Sequence, residues 1–212
     1  MIIPIKELLK GSKNKKELES LFKAAELAFK SWNTIYTNFV SAPLREEVFK
    51  KLELFDDIYC ESHGGYVEAE RQRISFSRKI EGVNHKKNFA PVNAINIEGN
   101  FLFDRADKID FINGLKAIGA SSESLGDLWL IRDRGAQVIC TPETSVELDG
   151  KQGLVRGVEI KCELIDIQQL YLPSQRVAKK INSVEASTRI DAIASAGFGM
   201  SRSKIILNIK EG

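Results

Sequence analysis

The residues with the strongest chemical pattern lie at the C-terminal end of the 212-residue chain. Ser201-Arg202-Ser203-Lys204 reads as a helix start capped by Ser201. A helix N-terminus leaves free N–H groups and a positive dipole end, which favour an anion. Arg202 and Lys204 add charge-assisted donors suited to phosphate, Ser203 adds a hydroxyl, and Arg189 approaches from a preceding helix. The plainer alternative is a capped helix pair whose Ser-Arg-Ser is merely solvated. A second basic zone spans Arg71 to Lys87, where Arg71, Arg73, Arg78, Lys79, Lys86 and Lys87 face only Glu81. His85, Phe76, Phe89 and Tyr66 are interleaved with it or flank it. Cations alternating with aromatics suit a surface that tracks a nucleic-acid backbone and stacks bases. Taken alone, such a run is more simply a solvated strand edge on which lysines discourage aggregation.

Enzyme chemistry finds little support. Only His63 and His85 could act as the base of a nucleophilic triad, and His63-Gly64-Gly65 has no G-x-S-x-G partner. Cys60, Cys140 and Cys162 show neither metal spacing nor a disulfide framework. Phosphate-binding and dinucleotide glycine loops are absent. Asp104, Asp107 and Asp110 sit where helix capping explains them. The expectation is a non-catalytic protein that needs no cofactor and no metal.

The elements that must position these groups follow from composition and periodicity. Hydrophobic residues make up 43% and charged residues 28%, which excludes disorder along the whole length. No apolar run approaches the ~20 residues of a membrane span, and the start looks like neither signal nor transit peptide. With the unpaired cysteines, a reduced, cytoplasmic setting is expected. The net charge of +2 is unevenly spread: residues 1–57 carry 10 basic and 9 acidic side chains, 58–172 carry 14 and 17, and 173–212 carry 7 and 3.

Leu18, Leu21, Phe22, Ala25, Phe29 and Trp32 recur every three or four residues and predict a helix over 15–39, broken at Ser41-Ala42-Pro43. Leu44, Val48, Leu52 and Phe55 predict a second helix. Beyond residue 58, short strands are expected at 74–76, 92–97, 127–131, 136–141 and 158–165. A helix capped by Asp107 and closed by Gly119 is expected over 107–118, with a weaker helix or loop around 144–153. Asp133-Arg134-Gly135 reads as a hairpin turn. The order is that of a split βαβ, ferredoxin-like unit with one sheet face left available. Phe101, Phe103 and Trp129 are expected in the core. A short helix at Val177–Ile181, a polar stretch to Ser187 and two short helices around Gly197-Phe198-Gly199 complete the chain.

The tail residues Arg189-Ile190-Asp191, Gly197, Ser201-Arg202-Ser203 and Gly212 resemble the opening of the αL domain, the RNA-binding domain named for small-subunit ribosomal protein four. That resemblance implies strands starting where the chain stops at Gly212, so the domain is expected to be incomplete and its helices poorly ordered or packed on the rest. Gly64-Gly65-Tyr66, Glu70-Arg71-Gln72-Arg73, Gly119, Leu125-Gly126-Asp127 and Gly135-Ala136-Gln137 resemble the YlmH family of bacterial RNA-binding proteins, closest to its cyanobacterial and plastid members labelled as photosystem II-associated. The resemblance implies a helical N-terminal region, an RNA-recognition-like middle domain and a C-terminal αL domain. It also implies binding to ribosomal RNA or tRNA on the large ribosomal subunit, in the rescue of stalled subunits.

The resulting expectation is an α+β chain: a helical region at 1–57, an RNA-recognition-like domain at 58–172, a linker helix at 173–187 and the start of an αL domain at 188–212. Its partner is structured RNA, contacted by Arg189, Ser201, Arg202, Ser203 and Lys204 and, in a second zone, by Arg71, Arg73, Lys86 and Lys87. The rival readings are a protein-interaction or assembly factor associated with photosystem II, and an RNA-modifying enzyme. No signal of oligomeric state is legible.

Overall fold

The computed structural model describes residues 3–79, 88–172 and 180–211. The chain divides into two units, Met1–Pro173 and Ser174–Gly212.

The first unit is mixed α and β and contains two antiparallel sheets. A short turn of helix, α1 (Ile5–Leu8), precedes α2 (Lys15–Ser31). The apolar stripe of α2 is real: Leu18, Leu21, Phe22 and Ala25 are all buried. The helix nevertheless stops eight residues before Phe39. Trp32 takes the left-handed conformation at φ 60°, and the chain turns into strand β1 (Ile35–Val40). The helix expected over 15–39 is therefore a helix and a strand. Trp32 stops it where glycine or asparagine usually would, and Ile35-Tyr36-Thr37 is a run of strand-forming residues. Helix α3 (Ala42–Leu52) follows, with Pro43 tolerated in its first turn.

Strands β2 (Ile58–His63) and β3 (Gln72–Arg78) complete a sheet of order β1-β3-β2. The region 1–57 is thus not purely helical, and its strand pairs with one from beyond residue 58. Helices α2 and α3 cover this sheet, joining Phe22, Val48 and Leu52 to Ile74 and Phe76 in one core.

The second sheet is built from β4 (Asn93–Glu98), β5 (Leu125–Leu130), β6 (Gly135–Cys140), β7 (Gln152–Val155) and β8 (Val158–Ile165). Its order, β5-β6-β4-β8-β7, is that of a split βαβ unit with one added edge strand. Helix α4 (Lys108–Ala117) opens on a capping box in which Asp107 and Asp110 exchange bonds of 2.9 Å. Helix α5 (Pro142–Leu148) starts from Thr141, whose side chain accepts from Thr144 N. Strand β7 falls where a helix or loop was expected; the turn Arg156-Gly157 folds it back on β8. One sheet face packs on α4 and α5 through Ile95, Ile97, Val138, Phe111, Leu115 and Leu148.

The other face is largely occupied, which corrects the expectation that it stands available. Trp129 and Ile139 are buried there beneath Phe39 and Val92, with Tyr66, Ile167 and Leu170 packed alongside. Gln137, also buried, donates to Asn96 and accepts from the Tyr171 backbone N–H. Farther along, Glu98 pairs in register with Lys161, and Asn96 with Glu163. An acidic remainder of this kind repels phosphate.

In the second unit, described by itself, residues 180–189 contain no helix, and the short helix expected around Val177 falls mainly outside the described residues. Helices α6 (Ile190–Phe198) and α7 (Arg202–Glu211) are formed and pack on each other, with Gly199 at φ 63° ending the first. Among the described residues no helix is long and apolar enough to cross a membrane.

Candidate nucleic-acid interface

The tail residues form the expected cap. Ser201 Oγ accepts from Lys204 N at 3.4 Å, and Ser201 O accepts from Ile205 N at 3.1 Å. Ser201, Arg202, Ser203 and Lys204 are all exposed. Arg202 reaches Glu185 at 3.3 Å, yet its side chain keeps 52% of its exposure. Arg189 donates to Asp191 at 2.9 Å, again from an exposed position. That bond comes first among the causes that hold Asp191 below the usual carboxylate range. The Arg202–Glu185 pair is partly exposed and screened by salt, so a phosphate can compete for that guanidinium, whereas the Asp191 partner of Arg189 is itself mostly buried. Lys180, Arg189, Arg202, Lys204 and Lys210 outnumber Glu185, Asp191 and Glu211 over 180–211.

The second zone is not brought together as expected. Arg73 is buried, with Nε donating to Thr37 O at 2.7 Å and Nη1 donating to Pro91 O. Burial draws its pKa down, and the nearby Glu143 carboxylate pushes it back up. Arg71 spends its guanidinium on three carbonyls: Leu125 at 3.0 Å, Phe39 at 3.2 Å and Ser122 at 3.3 Å. Both arginines are fasteners, and Arg73 has no surface to offer a phosphate. Lys86 and Lys87 lie outside the described residues. Arg78 survives at the surface, its guanidinium 3.8 Å from the Trp32 ring centroid and 4.4 Å from that of Phe29.

The glycine and acidic motifs around them belong to the same joint. Asp127 accepts from Tyr66 OH at 2.8 Å, Glu70 N at 2.7 Å and Arg71 N at 3.0 Å. Gly126 lies against the Phe39 ring, where a Cβ would sit 2.6 Å from Cε1. Gly65 holds φ 93° in the turn that delivers Tyr66. These residues tie the two sheets of the first unit together.

Residues 13–80 match the family model for the N-terminal domain of YlmH. The match spans α2, β1, α3, β2 and β3, which is the three-stranded sheet with its helices. A solved structure, the cell division protein YlmH from Streptococcus pneumoniae, shares the fold at a TM-score of 0.53. It is 14% identical, over 80% of this chain and 95% of that one. No curated protein matches. The family match concerns residues 13–80, and the structural likeness speaks for the fold alone.

The cavities carry no obvious chemistry. One of about 490 Å³ lies between α2 and β1, lined by Glu17, Ser20, Tyr36 and Arg71 among others. Another of about 590 Å³ lies beside β4, β7 and β8, with Glu98, Glu159 and Lys161 in its wall. Among the described residues no three His, Cys, Asp or Glu side chains gather as metal ligands. His63 stacks on Phe89 with ring centroids 5.0 Å apart, and burial lowers its pKa.

Sequence reasoning missed two exposed features. Phe103, expected in the core beside Phe101, is 93% exposed, whereas Phe101 is buried. Arg132 and Arg156 both adopt positive φ, at 47° and 55°. The Arg-Gly pair at 156–157 could have been read as a hairpin signal; nothing local marks Arg132.

Proposed function

We propose that this chain is a non-catalytic RNA-binding protein that grips ribosomal RNA or tRNA on the large ribosomal subunit. The observation that carries the reading is the capped start of α7, where Arg202 and Lys204 stand exposed; Arg189 is exposed as well, paired with the mostly buried Asp191. Free N–H groups and a helix dipole at an N-terminus that carries two unburied cations suit an anion. The YlmH N-terminal match at 13–80 agrees with the family resemblance, and it is the resemblance that implies RNA binding.

Three cations engaging three phosphates give log Kd a salt slope of about 2 to 3. The test is a filter-binding titration against tRNA and large-subunit ribosomal RNA at several salt concentrations. R202A/K204A weakens binding to every sequence and lowers the slope by about 1.5. A wild-type affinity that ignores salt overturns the reading. Co-sedimentation with large subunits, lost at high salt, addresses the ribosomal placement.

A second reading is favoured by one observation. Ile190, Ile193, Phe198, Leu207 and Ile209 of the helix pair are each more than half exposed. Apolar side chains on such a small unit suit a protein partner in an assembly role. Retention of a partner after RNase treatment, with salt-insensitive affinity, selects it.

A further inference from the structure

Strand β4 ends at Glu98, and at that end of the five-stranded sheet two connections are stitched together. Gly99 N donates to Arg134 O at 3.0 Å, and Phe101 N donates to Asp133 O at 2.8 Å. The β5–β6 turn closes through Arg134 N to Ile131 O at 2.9 Å and Ile131 N to Gly135 O at 2.8 Å. These bonds fix the loop 99–105 against the turn 131–134. Phe101 turns inward, its ring centroid 4.9 Å from that of Phe111. Two residues on, Phe103 points out with 93% of its surface exposed, and Leu102 beside it is 56% exposed. Phe103 contributes nothing to the core and, with Leu102, leaves an aromatic ring and an aliphatic side chain open to solvent at this end of the sheet.

The charges around it follow the same logic. Arg105, Arg132 and Arg134 are exposed, and their guanidinium groups have no hydrogen-bond or ion-pair partner among the described residues. Arg156, from the β7–β8 turn at this same end, ties down Asp104 at 3.1 Å and Asp110 at 3.7 Å. Its single charge offsets one of these two carboxylates, and Asp107 of the adjoining helix cap and Asp133 of the turn remain. Arg132 is held at φ 47°, a conformation in which glycine or asparagine would be relaxed. A strained arginine at a turn tip is a cost that a purely structural turn would shed by substitution. The groove beside it holds Glu98, Glu159 and Lys161, one more acidic than basic side chain, and suits an anion less well than the loop and turn.

We infer that this loop and turn form a second RNA contact, which takes an unpaired nucleotide on Phe103 and its flanking phosphates on Arg105, Arg132 and Arg134. The inference rests on the RNA-binding reading above, but on a different part of the molecule from α7. One projecting aromatic ring among unpartnered guanidinium groups fits a splayed base better than a helix or strand of protein. Guanidinium forks suit phosphate oxygens.

The test is fluorescence anisotropy with two probes, a labelled oligouridine of about twelve nucleotides and a labelled tRNA, across a salt series. F103A is expected to weaken oligouridine binding about tenfold without changing the salt slope, because stacking releases no counterions. R105Q/R132N/R134Q is expected to lower the slope by about 2, at ~0.7 per phosphate on a single strand. R132N alone should keep or raise the thermal midpoint while weakening binding, which a structural role for Arg132 would not produce. Oligouridine affinity unchanged in F103A and in the triple variant, with R202A/K204A still defective on tRNA, overturns this contact and leaves the RNA reading standing. So does binding of tRNA but not oligouridine by the wild type. No wild-type binding to either probe overturns both. Competition by polyglutamate as effective as by unlabelled oligouridine, with no effect of F103A, assigns the patch to an acidic protein and also overturns the inference.

Discussion

The phenol of Tyr66 donates to Oδ2 of Asp127 at 2.8 Å, although 61 residues separate them in the chain. The same carboxylate receives the backbone N–H groups of Glu70 and Arg71. One side chain on the second sheet thereby collects three donors from the segment that leads into the first. Replacing it with alanine leaves two backbone donors and a phenol without their acceptor. D127A is expected to cost about 2–4 kcal/mol, and Y66F about 1 kcal/mol, because it removes a single donor. Urea denaturation followed by circular dichroism checks both, and a D127A cost below that of Y66F would contradict the scheme.

The Tyr66 phenol also gives this joint a pH dependence. Burial first, and the Asp127 carboxylate second, push its pKa above the usual tyrosine range. The protonated form is therefore favoured in the folded chain. Its contribution is fully present below pH ~10, the unfolded value, and is lost as pH rises toward the folded one. Above pH ~10 the wild type should lose stability more steeply than Y66F. Parallel curves for the two proteins would show that the phenol is not linked to folding.

Arg73 illustrates the difference between a basic residue that fastens and one that binds. Its guanidinium is buried and satisfies the carbonyls of Thr37 and Pro91, so R73A strands two acceptors and empties a polar site. A loss of about 2–4 kcal/mol is expected. Lysine cannot reproduce the fork, and R73K should recover only part of it. At temperatures where R73K remains folded, its tRNA affinity and salt slope should equal those of the wild type. A reduced slope would return Arg73 to the interface.

How far the sequence could be read depended on whether the deciding contact was local. The stripe of α2, the Asp107–Asp110 capping box, the Ser201 cap and the β4-α4-β5-β6 order were legible, because each is set by spacing within one segment. The Asp133-Arg134-Gly135 turn was legible for the same reason. Strand β1 was not: α2 ends on Trp32, and what accompanies that conformation is Arg78 stacking on its ring from β3. Arg71 and Arg73 were misplaced because a run of cations looks alike whether carbonyls or solvent await it. Only the fold brings Phe39, Leu125 and Ser122 to Arg71. Phe101 and Phe103 were read together because strand alternation would put residues two apart on one face; the segment bends at 102–104 instead, and Phe101 turns inward while Phe103 points out.

The Trp32–Arg78 stack has a measurable balance. A non-glycine residue in the left-handed region costs about 1 kcal/mol, and a cation over an indole at an exposed site returns about 0.5–1 kcal/mol. W32G removes both terms and should lie within about 0.5 kcal/mol of the wild type. W32A keeps the strain and loses the stack, so it should be less stable than W32G by about 1 kcal/mol. Thermal unfolding of the pair decides this, and equal midpoints would mean that the backbone at residue 32 relaxes freely.

The three thiols report on opening of the first unit. Desolvation raises the pKa of Cys60 and Cys140 to about 12 and that of Cys162 to about 11. Cys140 and Cys162 are fully buried on β6 and β8, while Cys60 is partly buried on β2. A raised thiol pKa means that folding favours the protonated form. That contribution is complete below pH ~8.5 and declines as pH climbs through the folded values. Native alkylation of Cys60 by iodoacetamide should therefore be slow at pH 8 and rise about tenfold per pH unit up to 10, whereas a thiol in an unfolded or opened segment plateaus near pH 9. Cys60 should react ahead of the other two, whose modification requires the five-stranded sheet to open. Mass spectrometry of the alkylated peptides resolves the order, and early labelling of Cys140 or Cys162 would show that this sheet opens before the first one does.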